Sequence, residues 1–149
     1  MKTWLIALSC FGLLSSFTHA ADLTGVWRTI DDKNGVVRAH IKMEKQSDGT
    51  YIGTLIEDFP APGEAPLTTC SKCPAPYTNK PIIGLEILKG FKEEADTPNS
   101  YSHGKVLDPR AGKIYSGKAK LSSDGRKLRL RGYVGVSMLG RSQTWLRKE

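Results

Sequence analysis

Two cysteines three residues apart, Cys70 and Cys73, are the side chains best suited to covalent chemistry in this chain. A Cys-x-x-Cys pair supports thiol–disulfide exchange when one thiol is easily ionised, and Lys72 between them would favour a thiolate. Working pairs of that kind sit at a helix N-terminus, whereas Cys70-Ser71-Lys72-Cys73 lies among prolines. A zinc site would need two more ligands. Beyond the first twenty residues only His40 and His103 are available besides carboxylates, and no second close pair exists. A structural disulfide is therefore the favoured reading, with redox chemistry and zinc behind it. Nucleophilic catalysis fares worse. Gly135-Val136-Ser137-Met138-Leu139 lacks the last glycine of a nucleophile elbow, and no helix signal follows it. No catalytic residue, metal or cofactor is expected.

The basic residues near the C-terminus offer binding chemistry instead. Arg129, Arg131 and Tyr133 fall on one face of an extended segment, with Leu128, Leu130 and Gly132 on the other. Arg131-Gly132-Tyr133 resembles the Arg-x-Tyr pair with which fatty-acid-binding proteins hold a carboxylate, and a guanidinium with a phenol suits an anionic head group. Against this stands the simpler pattern in which the leucines face inward and the arginines face water. Further along, Arg141, Gln143, Trp145 and Arg147 also share a face, which Trp145 makes at least partly buried. The expected ligand-binding residues are Arg131, Tyr133, Arg141 and Gln143.

The elements that must carry these residues read as strands. Thr24 to Ile30 is β-branched and aromatic, and Asn34-Gly35 is a strong hairpin signal. Val37, Ala39, Ile41 and Met43 then alternate with Arg38, His40, Lys42 and Glu44, the period of a half-buried strand. Tyr51 to Glu57 follows. From Asp58 to Pro81 the pattern breaks, because six of the eight prolines fall there and no strand ladder survives them. Strands resume at Ile82 to Phe91, His103 to Leu107, Lys113 to Leu121, Lys127 to Tyr133 and Gly140 to Arg147. Lys92 to Ser100 reads as a loop, and Gly84 and Gly90 as bends. About eight strands without a helix predict an all-β, antiparallel up-and-down barrel.

Lys2 followed by an apolar stretch and Thr18-His19-Ala20 reads as a signal peptide spanning residues 1–20, leaving a single domain at 21–149. The expected location is periplasmic or secreted, with no transmembrane anchor once the leader is removed. Cys10 would leave with it, so the even pair Cys70 and Cys73 would form one bridge in an oxidising compartment. The net charge of +7, one less without Lys2, suits solubility first and anionic envelope surfaces second. Lys127-Leu128-Arg129-Leu130-Arg131 could face a polyanion, but too few aromatics flank it for base stacking, and nucleic acid is not an expected partner.

Gly25-Val26-Trp27 on the first strand, answered by Arg147 on the last, resembles the closure of lipocalin-like (calycin) barrels. Gly25, Trp27, Trp145 and Arg147 are the expected closure residues. More broadly, four stretches resemble a family of exported bacterial proteins catalogued as a domain of unknown function. They are Gly25-Val26-Trp27-Arg28, Pro81 to Leu85, Leu107-Asp108-Pro109 with Gly112 to Tyr115, and Arg131-Gly132-Tyr133 running on to Trp145. The resemblance implies a small exported barrel and supplies no reaction. The expected function is non-catalytic binding of a small amphipathic or anionic envelope molecule. The alternatives are a protein- or polymer-binding module using the Pro-rich loop, and a thiol–disulfide redox protein.

Overall fold

Alternation of apolar and polar residues along short, β-branched segments gives each strand one face for a core and one for water. In the computed structural model, which describes residues 20–136 and 140–149, that pattern builds eight strands. They are β1 (Gly25–Ile30), β2 (Val37–Lys45), β3 (Tyr51–Asp58), β4 (Glu86–Glu93), β5 (Ser100–Asp108), β6 (Lys113–Leu121), β7 (Lys127–Tyr133) and β8 (Arg141–Arg147). Each pairs antiparallel with the next, and β8 returns to β1 to close the barrel. Closure pairs Trp27 with Arg147, Arg28 with Leu146 and Thr29 with Trp145. Among the described strands no sheet edge is left open, which removes the usual site of strand-to-strand aggregation.

Local chemistry sets the hairpins. Between β1 and β2 the Gly35 N–H donates to the Asp31 carbonyl at 2.8 Å, and the Val36 N–H donates to Asn34 Oδ1 at 3.0 Å. The β2–β3 and β6–β7 turns use the same device, with Asp48 accepting from the Thr50 N–H and Asp124 from the Arg126 N–H.

Two strand starts differ from the sequence expectation by three residues or more. The fourth strand begins at Glu86 and not at Ile82, because Pro81–Gly84 turns the chain and the Gly84 N–H bonds the Leu55 carbonyl. The fifth begins at Ser100, ahead of His103, and the register with β6 shifts between Tyr101 and Gly104. His103 there has a positive φ of 61°. Such a bulge hides a strand from a periodicity argument.

The core fills one end of the barrel. Trp27, Met43, Tyr51, Phe91, Tyr101, Leu121 and Leu128 are all buried there, with Leu23 lying beneath. The ring of Phe91 lies over Gly104 and Gly117, where an added Cβ would stand 2.3 and 2.6 Å from its Cζ. Tyr51 and Tyr101 meet edge to face with centroids 5.5 Å apart.

The Pro-rich connection between β3 and β4 makes one isolated bridge, Thr69 to Pro81. Cys70 and Cys73 are disulfide-bonded in it, with Cα atoms 5.3 Å apart. Cys70, Cys73, Ile82 and Leu85 are buried and join the core. The loop also leans on the β5–β6 turn, since a Cβ at Gly112 would overlap the Lys72 carbonyl oxygen.

Candidate functional site

The two ends of the barrel have different chemistry, and Arg147 defines the closed one. Its guanidinium lies 4.3 Å from the Trp27 ring centroid. Nε donates to the Gly125 carbonyl at 2.7 Å, Nη2 to the Asp22 carbonyl at 2.6 Å, and Nη1 to the Thr24 carbonyl. The Trp27 Nε1–H donates to the Leu23 carbonyl at 2.9 Å. Gly25 is needed beside this group. Its φ is +122°, and a Cβ there would stand 2.8 Å from Arg147 Nη1. One cation thus joins the segment before β1, the β6–β7 turn and β8 over an indole face.

At the other end the barrel is hollow. A cavity of about 760 Å³ opens among the β1–β2 and β5–β6 turns, the end of β3 and the start of β8. Its floor and walls are apolar, including Ala39, Ile41, Leu55, Ile87, Leu130 and Trp145. Its rim is charged. Arg110 donates to both carboxylate oxygens of Asp58, at 3.0 and 3.2 Å. Arg38 meets Glu64 at 2.5 Å, and Arg110 Nη1 lies 3.7 Å from the same Glu64 oxygen. Arg141 lies 3.7 Å from Asp32. The Ala61 N–H and the Arg38 and Arg110 guanidiniums outweigh a small burial effect and hold the Glu64 carboxyl below the ordinary carboxylate range.

Of the four expected ligand-binding residues, Arg141 and Gln143 line the cavity, and Tyr133 reaches its mouth from the last position of β7, where the alternation of the strand ends. Arg131 requires a correction. Leu128 and Leu130 face inward, so the alternation of β7 places Arg131 on the outer side, where Nη1 donates to Ser142 Oγ at 3.0 Å. The inward pull of two leucines decides the face. Trp145, expected at the closure, also lines the cavity, and its Nε1–H donates to Gln143 Oε1 at 3.2 Å. Gly25, Trp27 and Arg147 lie at the opposite end.

Arg38, Asp58 and Arg110 line the cavity and were missed from the sequence. Alternation along β2 puts Arg38 outward, and Asp108 to Gly112 reads as a plain turn. Only the ion pairs between distant segments bring these groups to the opening.

Other candidates lie elsewhere. His40 hydrogen-bonds Glu57 and packs edge-on against Phe59, on the outer side of β2. Ser137 lies outside the described residues. Cys70 and Cys73 are buried in the loop, and none of residues 59–85 is among the described residues lining the cavity. The Pro-rich segment stands beside the opening and touches its rim through Glu64, which meets Arg38 and Arg110. Among the described residues no three His, Cys, Asp or Glu side chains converge as a metal site would require.

The fold is shared with a solved structure of a protein from Helicobacter pylori, HP1028, described as belonging to the lipocalin family. The two are 20% identical with a TM-score of 0.71, over 87% of this chain and 84% of that one. No curated protein matches the chain. Residues 25–147, from the Gly25 at the closure to the Arg147 that completes it, match the family described as an uncharacterized protein conserved in bacteria, DUF2147; the chain belongs to that family.

Proposed function

We propose that this protein is a non-catalytic carrier or receptor for a small amphipathic molecule, held in the open half of the barrel. The observation that carries the reading is the cavity of about 760 Å³, whose apolar floor lies under a charged rim. Its size falls within the range of sites that enclose small ligands. An apolar tail on Leu55, Ile87, Leu130 and Trp145 would contribute about 0.8 kcal/mol per buried methylene, with the polar end left at the rim. The leader-like N-terminus supports export, so the ligand would belong to the envelope or the medium. Burial of both cysteines weighs against thiol–disulfide exchange, which needs an accessible thiolate. The loop's inward-turned Cys70, Ile82 and Leu85 weigh against its being a free apolar docking arm.

The test is ligand-dependent thermal stability, using dodecanoate, dodecanol and a lysophospholipid as probes. At a hundredfold excess over Kd, a bound probe should add about 2.7 kcal/mol and raise Tm by several degrees. Ala39→Phe, which projects a ring into the cavity, should abolish the shift while leaving the unliganded protein folded. A flat response across the panel would overturn the reading.

A further inference from the structure

Resting on that reading, we propose that Arg38 and Arg110 are the seat for a singly charged acidic head group on an apolar chain, a carboxylate above all, and that Glu64 occupies this seat when the cup is empty. Both arginines line the cavity, one from β2 and one from the β5–β6 turn, and both turn to the same carboxylate. Three contacts converge on one Glu64 oxygen, Oε2. The Arg38 guanidinium lies at 2.5 Å, the Ala61 N–H at 3.0 Å and Arg110 Nη1 at 3.7 Å. The last distance is an ion pair and too long for a hydrogen bond. A ligand carboxylate placed between the two guanidiniums can offer each its own oxygen, the paired geometry that arginine and carboxylate favour.

The two carboxylates at this seat differ in how firmly they are held. Asp58 belongs to β3, its side chain is 15% exposed, and both its oxygens accept from Arg110. Glu64 belongs to the exposed start of the Pro-rich connection, and its side chain is 42% exposed. An exposed ion pair is weak, so Glu64 can leave for water at little cost. In direct contact, the two guanidiniums and the carboxylates of Asp58 and Glu64 are in balance. The rest of the rim, Asp31, Asp32 and Asp108 against Lys33 and Arg141, adds one negative charge. Once Glu64 leaves, the two guanidiniums lack one contact partner. A monoanion replaces the charge that left; a dianion adds a further negative charge beside an acidic rim, and an uncharged head group leaves a guanidinium without its counter-charge. The charge count therefore selects a single negative charge, with the chain directed towards Leu55 and Ile87 below.

The experiment compares Kd values for dodecanoate, dodecanol and dodecyl phosphate on the wild-type protein, Glu64→Gln, Arg38→Met and Arg38→Lys. Dodecanoate is expected to bind at least tenfold more tightly than dodecanol to the wild type. Glu64→Gln should tighten dodecanoate several-fold and leave dodecanol unchanged. Arg38→Met should erase the preference for the acid, with partial recovery in Arg38→Lys. Equal binding of acid and alcohol by the wild type would overturn the seat while leaving the cup reading intact. So would weaker dodecanoate binding, or no change, in Glu64→Gln. Tighter binding of dodecyl phosphate than of dodecanoate would overturn the selection for one charge. Failure of all three to bind would remove the cup reading, and the seat with it.

Discussion

Arg147 shows what one side chain can do when three backbone carbonyls and an indole are arranged around it. Each hydrogen bond from a charged donor contributes about 1.5–3 kcal/mol, and the ring contact adds about 0.5–2 kcal/mol. Trp27 supplies the flat surface on which this rests, so Trp27→Ala should cost about 3–5 kcal/mol in a denaturant titration. Unchanged stability in that variant would refute the role assigned to the closure. A second residue-scale effect lies next door. Burial would raise the Asp22 carboxyl, but the Thr24 N–H and hydroxyl, the Tyr51 phenol and the charge of Lys45 outweigh it and hold it below its ordinary value of 3.8. A depressed folded-state pKa means that the unfolded chain binds the proton first on acidification. The Asp22 contribution is complete above the ordinary value and is lost as pH falls through the folded one. Stability should therefore drop more steeply as pH falls below the ordinary value of 3.8 in the wild type than in Asp22→Asn.

At the scale of elements, most of the barrel was legible because alternation reports a half-buried strand directly. β2, β3, β6 and β7 fall where Val37–Met43, Tyr51–Glu57, Lys113–Leu121 and Lys127–Tyr133 place them. The closure was legible too, since Gly25, Trp27 and Arg147 are residue types with few other uses at those places. Alternation failed at the bulge around His103 and at the turn after Pro81, where register depends on a neighbouring strand. It could not reveal the rim, because Arg38, Asp58, Glu64 and Arg110 lie in four different stretches of chain and meet only in space. Arg131 failed for another reason: the motif suggested one face, and the burial of Leu128 and Leu130 required the other.

The disulfide belongs to this scale as well. A bridge across two intervening residues removes little chain entropy, so its effect on global stability should be small. Reducing the bridge to two thiols should leave the barrel's unfolding midpoint nearly unchanged and speed hydrogen exchange in the loop, at the N–H groups of Cys70, Asn79 and Ile82. A large loss of global stability on reduction would show that the bridge itself, beyond the packing of the loop, holds the core.

For the molecule as a whole, the closure at Arg147 and the core packed around Phe91 fill one end of the barrel, and among the described residues the cavity opens at the other. That fact governs kinetics more than affinity. By microscopic reversibility, a ligand leaves through the transition state by which it arrived, so a change confined to that passage alters both rates by the same factor. Val134, which lines the opening and is 71% exposed, offers such a change. Val134→Gly should speed association and dissociation of a probe such as dodecanoate together in stopped-flow measurements, with their ratio preserved. A barrel open at both ends would let a protein set loading and unloading separately. With one threshold among the described residues, control of release without a loss of capture comes from changing how well the bound state is held.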